Sequence, residues 1–334
     1  MAPIHILGLA GSPYTRKMVA ALRYRRIPYT LEWRHPMDGY KDRIAPKPPF
    51  LPTLYFGDDP QPVTDTTPII RRLEAAHQGR SILPGTPVLR LINSLIEDYA
   101  DEWLTKAMFH YRWRYDADIA YASDMLVYWS APTLPSDQAA AFGKQLADHQ
   151  IGRLGYVGSN EATGPIIEAG YLRFLAVFNE LIQHDGYTLG GRPSSADFAL
   201  YGKLTQLTSV DPTPMKEAEK VSLRLRAWVD RLDDLSGLEG GDWRLNPDPI
   251  QPLLAEIGRV YAPLLLANAA ALDAGDDMFT AAIDGAEWRQ NAFPYQRKCL
   301  NWLREEFAAL SAADQAAAMN VLDGTGCEPI FVGG

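Results

Sequence analysis

The chain places hydroxyl and carboxyl groups where it starts new helices, and that placement is what gives them chemistry. In Leu9-Ala10-Gly11-Ser12-Pro13-Tyr14-Thr15 an apolar run gives way to small residues and then to a helix start. Ser12 is an N-cap residue type, Pro13 suits the first helical position, and Val19, Ala20, Leu22 and Tyr24 continue at roughly helical spacing. The first turn of such a helix presents unpaired backbone N–H groups and the positive end of the dipole, a setting for a thiolate or a carboxylate. Tyr14 and Thr15 are neighbouring hydroxyls able to take the place of Ser12. A second such start is Asp65-Thr66, where an acid and a hydroxyl cap a helix and suit a bound amine or carboxylate.

These groups need a scaffold to position them. Pro3 to Leu9 reads as a short buried strand and Tyr29 to Trp33 as a second after the first helix, a βαβ start. Met37 to Lys47 is loop-like with one irregular helix, and Thr53 to Phe56 and Gln61 to Thr64 read as a hairpin around Gly57-Asp58-Asp59-Pro60. Ile69, Ile70 and Leu73 carry the next helix to Gly79. The linker from Gly79 to Pro87 marks a domain boundary.

Beyond it the pattern is helical. Leu89, Ile92, Ile96, Tyr99 and Trp103 share one face of a long helix, and further helices are expected over Asp137–His149, Ile166–Gln183, Phe198–Leu207 and Glu217–Leu235. Ser194 and Asp197, three apart, form a capping-box pattern ahead of Phe198. Ile250–Ala271, Tyr295–Leu310 and Ala312–Leu322 also look helical. Trp288, Phe293, Tyr295 and Trp302 are read there as core anchors.

The chain has 334 residues, 47% of them hydrophobic and 22% charged, which describes an ordinary globular protein of two packed domains or of one domain with an extension. A formal charge of −9 argues against general affinity for nucleic acid or anionic membranes. Arg34, His35, Lys41, Arg43 and Lys47 are nonetheless able to form a local basic groove. Cys299 and Cys327 show no metal-ligand spacing, and no metal is expected. The start lacks a signal-peptide pattern, and the longest apolar stretch, Tyr261–Leu272, is too short to span a bilayer. A cytoplasmic protein is expected.

Strand, small-residue turn and Ser-Pro-Tyr-Thr helix start, followed by Leu51-Pro52-Thr53-Leu54 and Asp65-Thr66-Thr67-Pro68, together resemble the cytosolic glutathione transferases. The resemblance extends through the Ser194–Asp197 cap, over roughly the first 235 residues. It implies a thioredoxin-like α/β N-terminal domain (1–80) and an all-α C-terminal domain (88–240). Residues 241–334 are then an added helical extension packed on the C-terminal domain.

The same resemblance implies roles. Ser12 matches the catalytic serine of the serine-using classes. Its hydroxyl would donate to a glutathione thiolate and lower the thiol pKa, with Tyr14 as the alternative group. Leu51 would pair its backbone with the cysteinyl part ahead of a cis Pro52, and Asp65 and Thr66 would receive the γ-glutamyl end. Lys47 joins this glutathione-binding set. Arg112, in the cluster His110 to Arg114, is a candidate for the electrophile groove. The expected function is a glutathione transferase acting on a small hydrophobic substrate, by conjugation, isomerisation, peroxide reduction or elimination. The expected assembly is a homodimer. The rival is a non-catalytic binding or scaffold protein of the same fold.

Overall fold

The computed structural model describes residues 3–34, 39–40, 43–244 and 246–332. Strand β1 (Ile4–Gly8) is central in a three-stranded sheet of order β2-β1-β3. It pairs in parallel with β2 (Tyr29–Trp33), in register Ile6 to Leu31, and antiparallel with β3 (Thr53–Phe56), Ile6 to Leu54. Between β1 and β2 runs α1 (Pro13–Arg25), which buries Met18, Val19, Leu22 and Tyr24. The helix α2 (Thr66–Ala76) follows β3 and buries Ile69, Ile70 and Leu73 at helical spacing.

This is the small α/β domain expected, with two trimmings. The strand expected over Gln61–Thr64 shrinks to one bridge, Val63 to Leu54. The irregular helix expected over 37–47 falls partly outside the described residues, and its described part is not helical.

The helical portion opens with α3 (Pro87–Arg114), whose long apolar face is buried from Leu91 to Tyr111. It is followed by α4 (Asp116–Ser130), α5 (Ser136–Ile151) and α6 (Gly164–Asp185). Helix α7 (Ser195–Leu207) is buried at every residue and packs against both α1 and α3. Its capping box is complete: Asp197 N–H donates to Ser194 Oγ at 3.3 Å and Ser194 N–H donates to Asp197 Oδ2 at 2.8 Å. The single helix expected over Glu217–Leu235 is two, α8 (Pro212–Val221) and α9 (Leu223–Leu232). Ser222 is extended, with φ −172°, and its hydroxyl accepts from Arg224 N–H, so it restarts the chain as a new cap.

The added segment is not purely helical. Helix α10 (Gln251–Ala274) leads into a hairpin of β4 (Met278–Ile283) and β5 (Ala286–Asn291), then α11 (Pro294–Ala308), α12 (Ala312–Leu322) and the short α13 (Glu328–Phe331). The hairpin turns on Asp284-Gly285, both at positive φ (53° and 76°), the dipeptide best suited to such a turn. Phe279, Ile283 and Trp288 supply the buried face.

The segment shares one continuous core with the rest of the chain. Trp288 is fully buried with its ring centroid 5.4 Å from that of Trp103 on α3, and Tyr261 donates to Asp98 of α3 at 2.7 Å. The span Asp248–Ala274, which contains the stretch Tyr261–Leu272, is long and apolar enough to cross a membrane by length and composition alone, a test that buried core helices also pass. Of its apolar 18-residue window 61% is buried inside the protein, and α10 packs on α3, α6 and α11.

Candidate active site

The Ser12 turn is built from both halves of the molecule. After β1 the chain folds back so that Ser12 N–H donates to Leu9 C=O at 3.0 Å, and Ser12 caps α1 with Thr15 N–H donating to its Oγ at 3.2 Å. The carbonyls ahead of it are held from outside the turn. Arg112 donates to Gly11 C=O at 3.2 Å and Gln206 Nε2 donates to Ala10 C=O at 3.2 Å. Arg112 also donates through Nε to both Asp211 oxygens, at 2.8 and 3.1 Å, and through Nη2 to Gln206 at 2.7 Å.

This corrects the reading of Arg112. It is buried, and its guanidinium is taken up by Asp211, Gly11 and Gln206, so it positions the turn. Burial pushes the Asp211 carboxyl up, and the Arg112 guanidinium acts against that push.

Apolar side chains of α4 lie over this turn. A Cβ placed on Gly11 would stand 2.3 Å from Leu126 and 2.8 Å from Trp129, so only glycine admits that approach. Neither residue was singled out from sequence, because α4 lies between two helical stretches without a motif of its own.

Tyr14 does not face the anion setting. Its hydroxyl donates to Asp101 C=O at 2.8 Å and lies 3.1 Å from Thr105 Oγ1, while the Lys203 ammonium sits 3.3 Å from its ring centroid. Burial, with Glu102 and Asp101 nearby, pushes its pKa well above that of an ordinary tyrosine. The hydroxyl is committed to α3, which leaves Ser12 as the half-exposed hydroxyl at the start of α1.

The other expected residues line up along the first domain. Leu51–Pro52 is a cis bond, Pro52 is buried and Leu51 half-buried just ahead of β3. Lys47 is exposed on the approach to it. Of the expected basic groove, His35 and Lys41 lie outside the described residues. Asp65 precedes α2 at φ 78°, and Thr66 is buried as the first residue of that helix. The Asp65 carboxylate accepts from Tyr295 OH at 2.9 Å, and Lys298 Nζ is 3.7 Å away. Burial raises the Asp65 carboxyl, opposed by Tyr295 and Lys298. Tyr295 is therefore more than a core anchor.

Beneath the site runs a buried charge network that sequence reasoning missed. Lys17 of α1 donates to Glu97 at 2.7 Å and Asp101 at 2.6 Å, and Glu97 also accepts from Thr67 at 2.9 Å and Ser195 at 2.5 Å. Burial alone would raise Glu97, but Lys17 and Arg71 outweigh it and hold the carboxyl down to about 2. Asp98, next to it but facing Tyr261, is pushed up to about 8 by burial and by Glu102. The signal was present as Glu97, Asp98, Asp101 and Glu102, a run of acids inside an apolar helical pattern. A cavity of 380 Å³ lies between α2, α3 and α11, bordered by Thr67, Asp101, Glu102, Tyr295 and Trp302. Among the described residues no group of three or more His, Cys, Asp or Glu side chains is placed to hold a metal ion.

Two family models match the chain: the glutathione S-transferase N-terminal domain over residues 7–81 and the C-terminal domain over 140–231. Among solved structures, one similar chain is a glutathione S-transferase from Methylobacterium radiotolerans in complex with glutathione sulfonate. It is 21% identical, with TM-score 0.45, over 70% of this chain and 91% of that one. Another is a Tau class glutathione S-transferase from mango, 19% identical, TM-score 0.42, over 69% and 88%. A third is maleylacetoacetate isomerase from Methylobacterium extorquens with bound malonate and GSH, 20% identical, TM-score 0.37, over 70% and 97%. A search of curated proteins found no match. The two models fall in order on the α/β sheet domain that presents Ser12 and on helices that include α7, whose Gln206 holds the Ala10 carbonyl, and the chain belongs to the glutathione S-transferase superfamily.

Proposed function

We propose that the protein is a glutathione-dependent enzyme in which Ser12 holds the glutathione sulfur as a thiolate for attack on a small apolar electrophile. The observation that carries this reading is the Ser12 cap. Its Oγ already accepts the Thr15 N–H, so the hydroxyl hydrogen is left to donate to an anion in front of the α1 N-terminus. Donation to sulfur and the helix dipole both favour the ionised thiol. The thiol proton leaves to solvent and the sulfur lone pair forms the new S–C bond, while the electron pair displaced from the attacked carbon departs with its leaving group or, in an addition, moves from the π bond to a neighbouring atom that solvent protonates.

Asp65 and Thr66 would take the γ-glutamyl end and the Leu51 backbone the cysteinyl part, while Lys47 offers a cation to a carboxylate of the tripeptide. The electrophile would rest against Leu126 and Trp129. A cytoplasmic homodimer is part of the same reading, supported for the compartment by two free, buried cysteines.

Calorimetric titration with glutathione, followed by ultraviolet titration of the bound thiol, tests the proposal. The expected result is binding with a thiol pKa lowered by a unit or more, on the order of a charge-assisted hydrogen bond. Absence of binding, or an unshifted thiol, would overturn it.

A further inference from the structure

Asp65 stands at the N-cap of α2 and yet makes no capping bond. Its carboxylate is met instead by α11, which lies 230 residues further along the chain. Tyr295 OH donates to Oδ2 at 2.9 Å, and the Lys298 ammonium stands 3.7 Å from the same oxygen, beyond hydrogen-bond range. Lys298 is half-exposed and lies 4.2 Å from the ring centroid of Trp302 and 5.4 Å from that of Tyr295, so its stem is placed while its three N–H donors stay available. The cavity between α2, α3 and α11 borders Tyr295 and Trp302, so space adjoins this face of α11.

An amino-acid end group carries an ammonium and a carboxylate on one carbon. Its complement is an anion and a cation side by side, aligned so that each meets the opposite charge. Asp65 and Lys298 are such a pair, contributed by the first domain and by the added segment. We propose that α11 completes the amino-acid end of the glutathione site, with Lys298 as a specificity-determining residue that binds the α-carboxylate of the γ-glutamyl group. Asp65 takes the adjoining ammonium. Tyr295 is a positioning residue: by donating to Oδ2 it orients the carboxylate. This inference rests on the proposed glutathione reading and adds to it a residue from outside both matched domains.

The test is calorimetric titration of the full chain and of Lys298→Met and Lys298→Arg with two probes. One probe is glutathione, and the other is γ-aminobutyryl-cysteinyl-glycine, which lacks only the α-carboxylate. Lys298→Met should weaken glutathione about tenfold or more, the scale of one charge-assisted bond, and leave the analogue unchanged. Lys298→Arg should keep the preference for glutathione. Equal losses for both probes, no loss for either, or tighter glutathione binding in Lys298→Met would each overturn the assignment while leaving the glutathione reading intact. A wild-type chain that binds neither probe would overturn both.

Discussion

Arg112 on α3 reaches across the domain contact to donate to the carbonyl of Gly11, the residue immediately before Ser12. The same guanidinium neutralises Asp211, which is fully buried. A single side chain thus sets the turn that carries the Ser12 hydroxyl and satisfies a charge in the core.

Replacing Arg112 by Met should therefore damage stability first and activity with it. Asp211 would be left buried without its cation, a loss of about 3–5 kcal/mol. Urea denaturation reads this directly. A variant as stable as the parent would show that the Asp211 carboxyl finds another partner or takes up a proton at little expense.

Ser12→Ala and Tyr14→Phe should separate cleanly. The first should lower any glutathione-dependent rate by roughly ten- to a thousandfold with little change in glutathione affinity, because the lost donor acts on developing charge. The second should leave the bound thiol pKa unmoved and cost only about 1 kcal/mol of stability, from the bond to Asp101 C=O. Thiol titration of both variants decides, and a thiol pKa that shifts only in Tyr14→Phe would reverse the assignment.

Asp98 makes a prediction about pH. Its folded pKa of about 8 lies above the ordinary carboxyl value, so the native state holds a proton that the unfolded chain gives up. Stability from this group is complete below an ordinary carboxyl pKa and falls as pH rises toward 8. Asp98→Asn cannot ionise. The variant should gain stability relative to the parent between pH 5 and pH 8, as measured by denaturation at both. A gap that is constant with pH would mean that Asp98 is ionised in the folded protein.

Trp288 tests whether the added segment folds with the rest. It is fully buried against Trp103 of α3 within one continuous core, so Trp288→Ala should cost about 3–5 kcal/mol and do so in a single transition. Two separated transitions, with only the first displaced, would mark residues 241–334 as an independent unit.

Local chemistry was legible from the residues alone. Ser12-Pro13 announces a helix start by its own capping geometry, Ser194 and Asp197 announce another, and apolar spacing locates the long helices, because each signal is confined to a few neighbours. Asp284-Gly285 was equally local, and the hairpin it turns was there to be read. What only the tertiary structure decided is where side chains of equal chemical promise are spent. Tyr14 is turned to Asp101, Arg112 is bound to Asp211 and Gln206, and Asp65 is reached by Tyr295 from the far end of the chain. Each outcome depends on which helix face meets which partner across 87 to 230 residues of sequence, and on burial, which makes a charged or polar group bond to whatever the packing brings within reach.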